Sequence, residues 1–570
     1  MQSRTFLVCA FLALAIPAAA LEPPTRAEMD GYLRDGSFAQ RLANARSLGN
    51  HIPDPDLLSG FRARLAGRLR GRSAGAASEP MGILELPPGR TGGLPTRGSV
   101  SVFTLLIDFS DYPAVNSSPV ITSKLFGDGD GGYPYESLRN YYRRASYGQL
   151  DIGGSVLGWY RPAYTRATVA MTTAGREALI KEALTFFDAQ GHDFSRYDND
   201  GNGTIDYFIV VWSGPNNGWA NFWWGYQTSF GSSFNLDGKK LSGAKYSWQW
   251  EARNWPGAYD QIVVMHETGH ALGLPDYYDY DATVGPRGGL GGLDMMDANR
   301  GDHNGFSKML LDWIEPRIFV YGTSGFTLGA SGGSAEALIV MPEFEEGQPF
   351  DEFFLVQNRT RIGNDAALAG DGLLIWHVDA HLNSAGTNFL YDNSTTDHKL
   401  LRLMEADGLE QIERGYAANA ADYYTAGRTL SPLTLPNGNR YDGTSPGLTL
   451  DSIGPSGLSM SLRADIHYTL FPPAGADLTR LESDFIFFIE YIDKLTWSDD
   501  SRNHTRITSY RIYKRPRDRG DDAYVLLAEI PAEAAPVYEN KGLKKDERCV
   551  YRIIAIDSNG IESEASEAGR

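Results

Sequence analysis

The sequence predicts a multidomain α+β protein: a mixed α/β domain, then a β-sandwich or jelly-roll-like domain, then a small β-sandwich. Three observations carry that reading. The chain has 570 residues, which at about 150 per domain allows about four folded units. From residue 99 buried-strand runs alternate with helical periodicity, and from about residue 322 strands and turns take over. A composition of 42% hydrophobic, 12% aromatic and 22% charged residues is that of a folded chain, too aromatic to be disordered. The net charge of −19 excludes a broad electrostatic grip on nucleic acid or an anionic membrane, and it leaves cations as natural partners.

The elements follow in order. Residues 1–20 carry Arg4, an apolar run from Phe6 to Pro17 and the small-residue site Ala18-Ala19-Ala20, the pattern of a signal peptide. The expectation is a secreted protein, extracellular or periplasmic. The run is too short to span a bilayer and none later reaches about 18 apolar residues, so no integral membrane segment is expected. Cys9 would leave with the signal and Cys549 would stand alone, so stability must come from packing or bound metal.

Residues 21–98 read as a helical prosegment and linker, with Arg/Ala/Leu-rich helices near 26–49 and 54–71 and a Gly/Pro/Ser tract from Arg72 to Gly98. A small accessory domain is the alternative. The α/β domain spans 99–321: Val102–Ile107 and Phe208–Trp212 are buried strands, and Ser137 opens a helix with Leu138, Tyr141 and Tyr142 on one face. The β-rich domain spans 322–471, with strands at Phe353–Val356, Leu373–Val378 and Leu448–Leu450. Residues 472–570 have strands at sandwich-like spacing.

The chemistry concentrates in Ile262–Asp276. His266 and His270 are four apart, about 400° of helical rotation, so both imidazoles leave one face and can grip one ion. Glu267 points beside that ion. Neutral imidazoles at about 2 Å are usual zinc ligands, and a carboxylate over an attacking water can take its proton. Gly273 permits the left-handed turn that ends the helix and Pro275 forbids its continuation, which brings Asp276 back as a third ligand. About twenty residues on, Gly291 to Asp297 suits a methionine-bearing turn under the metal, with Met296 the better placed methionine. His303 either assists an oxyanion or caps the helix around Phe306 to Trp313.

A second cation loop is expected where Asp198, Asp200, Asn202 and Asp206 occupy positions 1, 3, 5 and 9, with Gly203 at 6, as in calcium loops; Ile209 at position 12 leaves that pattern incomplete. His377, Asp379 and His381 share a strand face, a weaker metal candidate beside a merely solvated β face. The aromatic cluster Trp219, Phe222, Trp223, Trp224 and Tyr226 is either core packing or a binding platform.

The sequence resembles the immune inhibitor A-like M6 metallopeptidases. The likeness rests on Leu105–Asp111, Tyr141-Tyr142 with Ser146-Tyr147-Gly148, the Asp198–Asp206 loop, the segment through Asp276–Asp279, Leu293–Met296, Phe354–Arg359, Gly372–Asp379 and Glu405–Gly408, across roughly residues 98–465. Leu293 stands where the family usually has Trp, and Val211–Gly214 lacks its His-Ala-Gly. These departures bear on substrate preference. The resemblance implies a zincin-like catalytic domain, Zn2+ on His266, His270 and Asp276, Glu267 as general acid/base, Ca2+ on the Asp198 loop, and protein or peptide substrates. The last hundred residues resemble a fibronectin type III module. A silent adhesin or carbohydrate-binding protein is the rival reading, against which an intact Glu267 argues.

The prosegment is the expected intramolecular inhibitor. It contains no thiol to ligate zinc, so direct blocking would fall to His51, Asp54 or Asp56 in an extended, proline-bearing stretch. Steric cover or help in folding is the alternative.

Overall fold

A capping box opens the first helix. The Thr25 hydroxyl accepts from the Glu28 N–H, while the Glu28 carboxylate accepts from the Thr25 N–H at 2.9 Å. Gly36, at φ 75°, ends that helix, so the segment expected as one is two, Arg26–Asp35 and Phe38–Leu48; Pro55–Ser73 is the third. The computed structural model describes residues 24–73, 93–129, 131–281, 283–285, 288–394, 397–485 and 488–569. The expected signal peptide and most of the Gly/Pro/Ser tract lie outside the described residues.

The α/β part is built on one five-stranded sheet, in the order Leu150–Tyr160, Gly98–Ile107, Tyr207–Trp212, Lys245–Trp250, Tyr226–Ser229. The first three pairings are parallel and the last antiparallel. Every residue of Tyr207–Trp212 is buried, which is why it reads as a continuous apolar run. Ser137 caps the helix Leu138–Ala145, accepting from the Asn140 N–H at 3.1 Å, and that helix buries Leu138, Tyr141 and Tyr142. The Tyr142 hydroxyl donates to the Met265 carbonyl at 2.6 Å and so ties it to the helix Ile262–Ala271. This second helix is buried from Val263 to Ala271.

The β-rich part has a five-stranded sheet (Leu401–Leu403, Gly372–Asp379, Glu352–Arg359, Leu338–Val340, Arg317–Phe319) and a three-stranded one (Leu448–Asp451, Ser459–Ile466, Gly322–Gly329). Phe354, Trp376 and Leu462 belong to the same buried cluster as Met265 and Met296. The two parts thus share one core. The C-terminal part pairs a three-stranded sheet (Ala474–Phe485, Phe488–Ser498, Val537–Leu543) with a four-stranded one (Val525–Pro531, Ile507–Pro516, Cys549–Asp557, Ser566–Ala568). Leu495, Trp497, Tyr510, Ile512, Tyr551 and Ile553 form a separate core. Among the described residues no helix is long and apolar enough to cross a membrane.

Candidate metal centre

His266 and His270 project from one face of the helix Ile262–Ala271. Gly273, at φ 102°, turns the chain back, and the Leu274 N–H donates to the Gly269 carbonyl at 3.0 Å. Asp276 therefore returns to the two imidazoles. His266 Nε2 lies 3.1 Å from His270 Nε2 and 2.8 Å from Asp276 Oδ1, and His270 Nε2 lies 3.3 Å from the same oxygen.

What these atoms need follows from their other partners. His266 Nδ1 is 2.9 Å from the Met295 carbonyl and His270 Nδ1 is 2.8 Å from the Leu274 carbonyl. A carbonyl only accepts, so Nδ1 carries the proton and a neutral ring keeps a lone pair at Nε2. Three buried acceptors then face one another without a donor between them, an arrangement that a cation resolves. A tetrahedral zinc with bonds of about 2.0–2.1 Å sets its donors roughly 3.3 Å apart, so the donor set fits that ion in type, number and spacing. The Tyr280 hydroxyl donates to Asp276 Oδ2 at 2.5 Å.

Glu267 is fully buried beside His266, and neither of its oxygens has a hydrogen-bond partner. Burial, reinforced by Asp276 and opposed by His266, pushes its carboxyl up to about 8. Beneath the helix, a Cβ on Gly269 would stand 2.3 Å from Met296 Sδ, so the thioether lies directly against the backbone between the two histidines, where only glycine leaves room. The Met296 carbonyl accepts from the Tyr277 N–H at 2.9 Å. One turn therefore orients His266 through Met295 and the third-ligand loop through Met296. Asp294 anchors the turn, accepting from the Met296 N–H at 2.7 Å and the Asn304 side chain at 2.8 Å.

Residues 95–291 match the immune inhibitor A peptidase M6 catalytic domain. This stretch is similar to an M6 peptidase catalytic domain. Pre-pro-metalloprotease PrtV of Vibrio cholerae is 27% identical over 231 residues, 32% of this chain and 25% of that one. Immune inhibitor A of Bacillus thuringiensis subsp. alesti is 26% identical over 237 residues, 32% of this chain and 34% of that one. The chain thus matches these relatives over a quarter to a third of their length. Among solved structures, titin module A71 from human cardiac muscle matches 18% of this chain and 90% of its own length at 20% identity, with a TM-score of 0.15.

Around the His266, His270 and Asp276 group the other candidates sort plainly. The Asp198, Asp200 and Asp206 carboxylates come together. Asn202 instead donates its amide to Asp200 Oδ2 at 2.8 Å and accepts from the Thr204 N–H with its oxygen at 2.8 Å. Lys239 Nζ lies 2.7 Å from Asp198 Oδ2. Asp198 Oδ1 and Asp206 Oδ1 are buried without a partner, and burial pushes the Asp206 carboxyl up to about 7.

Of the two roles expected of His303, the helix cap falls to its neighbour, and both ring nitrogens of His303 are buried without a partner. Asn304 caps the helix Gly305–Leu310, and His303 is buried among the rings of Tyr141, Tyr142 and Trp313, where burial pushes it down to about 3. His377 is hydrogen-bonded to Glu352 at 2.7 Å, while Asp379 and Asp351 flank His381 at 2.6 and 3.1 Å, so both imidazoles on this strand face are already engaged by carboxylates. The aromatic cluster is core: Trp219, Trp223 and Trp224 are 2–5% exposed.

The N-terminal helices pack against the Gly273–Asp276 loop, and among the described residues they add no ligand atom to the group. The Asn50 carbonyl accepts from the Asp276 N–H at 2.8 Å, the Asp54 N–H donates to the Gly273 carbonyl at 3.0 Å, and Leu57 fills the space over Gly273. Asp54 is engaged by Lys245 at 3.1 Å and by the Asp56 N–H at 2.9 Å. His51 lies against the Tyr280 ring at 5.5 Å. Direct ligation by His51, Asp54 and Asp56 is therefore corrected, because among the described residues none of them joins the donor group. Sequence reasoning missed Asn50, Tyr280 and the Met295 carbonyl; the only local signal was the Tyr277-Tyr278-Asp279-Tyr280 run after the third ligand.

Proposed function

We propose that this chain is an exported zinc-dependent endopeptidase that hydrolyses peptide bonds in protein or peptide substrates. One observation carries the reading: three buried acceptor atoms converge beside Glu267, a buried carboxylate with no partner of its own. Zinc held by His266, His270 and Asp276 would polarise the scissile carbonyl and acidify a water, and three protein ligands leave a position open for it. Glu267 takes the water's proton at its carboxylate and returns it to the leaving amine. The Met295 and Leu274 carbonyls keep both imidazoles presenting Nε2 to the ion.

Calcium on the Asp198 loop is part of this reading, supported by the two orphaned oxygens there. The paired sheets around one core support reading residues 472–570 as fibronectin type III-like. The helices packed on the Gly273–Asp276 loop support residues 21–98 as an inhibitor in cis, acting by cover. Burial of the tryptophans, in one cluster with Met29, Phe38 and Ala45 of the N-terminal helices, speaks against the adhesin reading for the intact chain.

The test is Glu267→Gln in the processed protein. The variant should retain zinc and lose about 10²–10⁴-fold in chelator-sensitive caseinolysis, the usual contribution of a general base. Wild-type turnover in that variant ends the mechanism.

A further inference from the structure

Among the described residues, three groups of His or acidic side chains bring ligand atoms within 4.8 Å of one another: the zinc triad, the Asp198 loop, and Glu405 with Asp407 and Asp422. No spacing pattern pointed to the third. It lies in the β-rich part, after the strand Leu401–Leu403, and Asp422 reaches it from the short turn Ala420–Asp422. Glu405 is 3% exposed and Asp422 0%, with Asp407 half-buried.

Backbone amides account for part of this group. The Gln411 and Ile412 N–H groups donate to the two Glu405 oxygens at 2.6 and 3.0 Å, Leu409 N–H to Asp407 Oδ1 at 2.9 Å, and Asn419 N–H to Asp422 Oδ2 at 2.6 Å. Asp422 Oδ1 is sealed from solvent with no partner at all. A sealed, orphaned oxygen on a carboxylate that is grouped with two more carboxylates is the costly case that a bound cation relieves. No lysine, arginine or histidine supplies that charge by an ion pair among the described residues; Arg428 directs its guanidinium to the Ala406 carbonyl at 2.8 Å. Burial, with Asp422 and Asp407, pushes the Glu405 carboxyl up to about 7, and burial with Asp407 raises Asp422.

We propose that Glu405, Asp407 and Asp422 bind a hard divalent cation of the calcium type, as an all-oxygen, all-carboxylate donor set selects. The ion braces the loop from Gln411 to Ala418. That loop reaches the zinc site: the Ala418 N–H donates to the Gly291 carbonyl at 2.8 Å, and a Cβ on Gly291, at φ 66°, would stand 2.8 Å from Ile412 Cδ1. Gly291 leads directly into the Met296 turn. A cation in the β-rich part thus stiffens the floor under the zinc helix.

The test titrates calcium chloride into the full-length, zinc-loaded protein by calorimetry, with thermal melts in parallel, for wild type, Asp422→Asn, Asp407→Asn and the double variant Asp198→Asn/Asp200→Asn. Asp422→Asn and Asp407→Asn should each bind one calcium fewer than wild type and lose part of the calcium-induced rise in Tm. The double variant should keep that ion. Half-buried Asp407 tolerates the amide if Asp422→Asn fails to fold. A wild type that binds no calcium overturns the proposal, as does an Asp407→Asn protein with wild-type stoichiometry and wild-type rise in Tm.

Discussion

The proposed zinc triad and the Asp198 loop each gather three ligand-type side chains, but they stand in opposite electrostatic states. His266, His270 and Asp276 turn only acceptors toward one another, because the donor nitrogen of each ring is engaged by a carbonyl. In the Asp198 loop most acceptors already have donors: Asp198 Oδ2 takes Lys239 and the Gly203 N–H, Asp206 Oδ2 takes the backbone and side-chain nitrogens of Asn199, and Asp200 takes Asn202. Spacing along the chain therefore identifies which groups can bind a cation, while neighbours far away in sequence decide how much the site still lacks one.

The largest effect that would break this comparison comes from the zinc side. His270→Ala leaves two acceptors and no closed site, so zinc per chain, read by elemental analysis, should fall from one toward zero and activity should reach background. Retention of a full equivalent of zinc would mean that the triad is not the site. Next in size is Gly269→Ala, whose Cβ would overlap Met296 Sδ; it should cost about 1–3 kcal/mol of stability, read by denaturant melts, and weaken zinc binding with it. Removing residues 21–95 should raise caseinolysis and lower Tm together, since the segment covers the zinc loop but also buries Leu57, Leu58 and Phe61 in the shared core. Equal activity of intact and truncated proteins would refute latency.

What was legible in the sequence explains this ordering. The His266–Asp276 geometry follows from helix pitch, one glycine and one proline, all within eleven residues, while Met295, Met296 and Asn50 orient it from outside that stretch. The Met296 turn was legible because it follows closely and is anchored locally by Asp294. By contrast, Lys239 reaches Asp198 across 41 residues, and Asp422 joins Glu405 from another turn. No periodicity records such meetings. His303 misled for a related reason: Asn304, one position on, is the helix cap, and burial among aromatic rings cannot be read from a neighbour's identity. The continuous core across residue 322 was invisible too, since a change from mixed to β-rich pattern says nothing about which faces pack together.

The smallest effect sharpens the comparison from a third side. His377, Asp379 and His381 have ligand-like spacing, yet both imidazoles are already engaged by carboxylates and His381 carries the charge, so pH, not metal, should move this face. Hydrogen bonds to Asp351 and then Asp379 hold the His381 imidazolium and push its pKa up to about 10. A raised folded-state pKa gives stability that is fully present below the unfolded value of about 6.5 and is lost as pH climbs toward 10. His381 is half exposed, so solvent screening limits this to about 1 kcal/mol or less. His381→Asn should therefore melt below wild type at pH 6, converge with it between pH 7 and 10, and match it at pH 10.5, in melts recorded with and without added zinc. A gap that stays constant across that range would remove the ion pairs as its cause, and a gap that opens only when zinc is added would return this strand face to the list of metal sites.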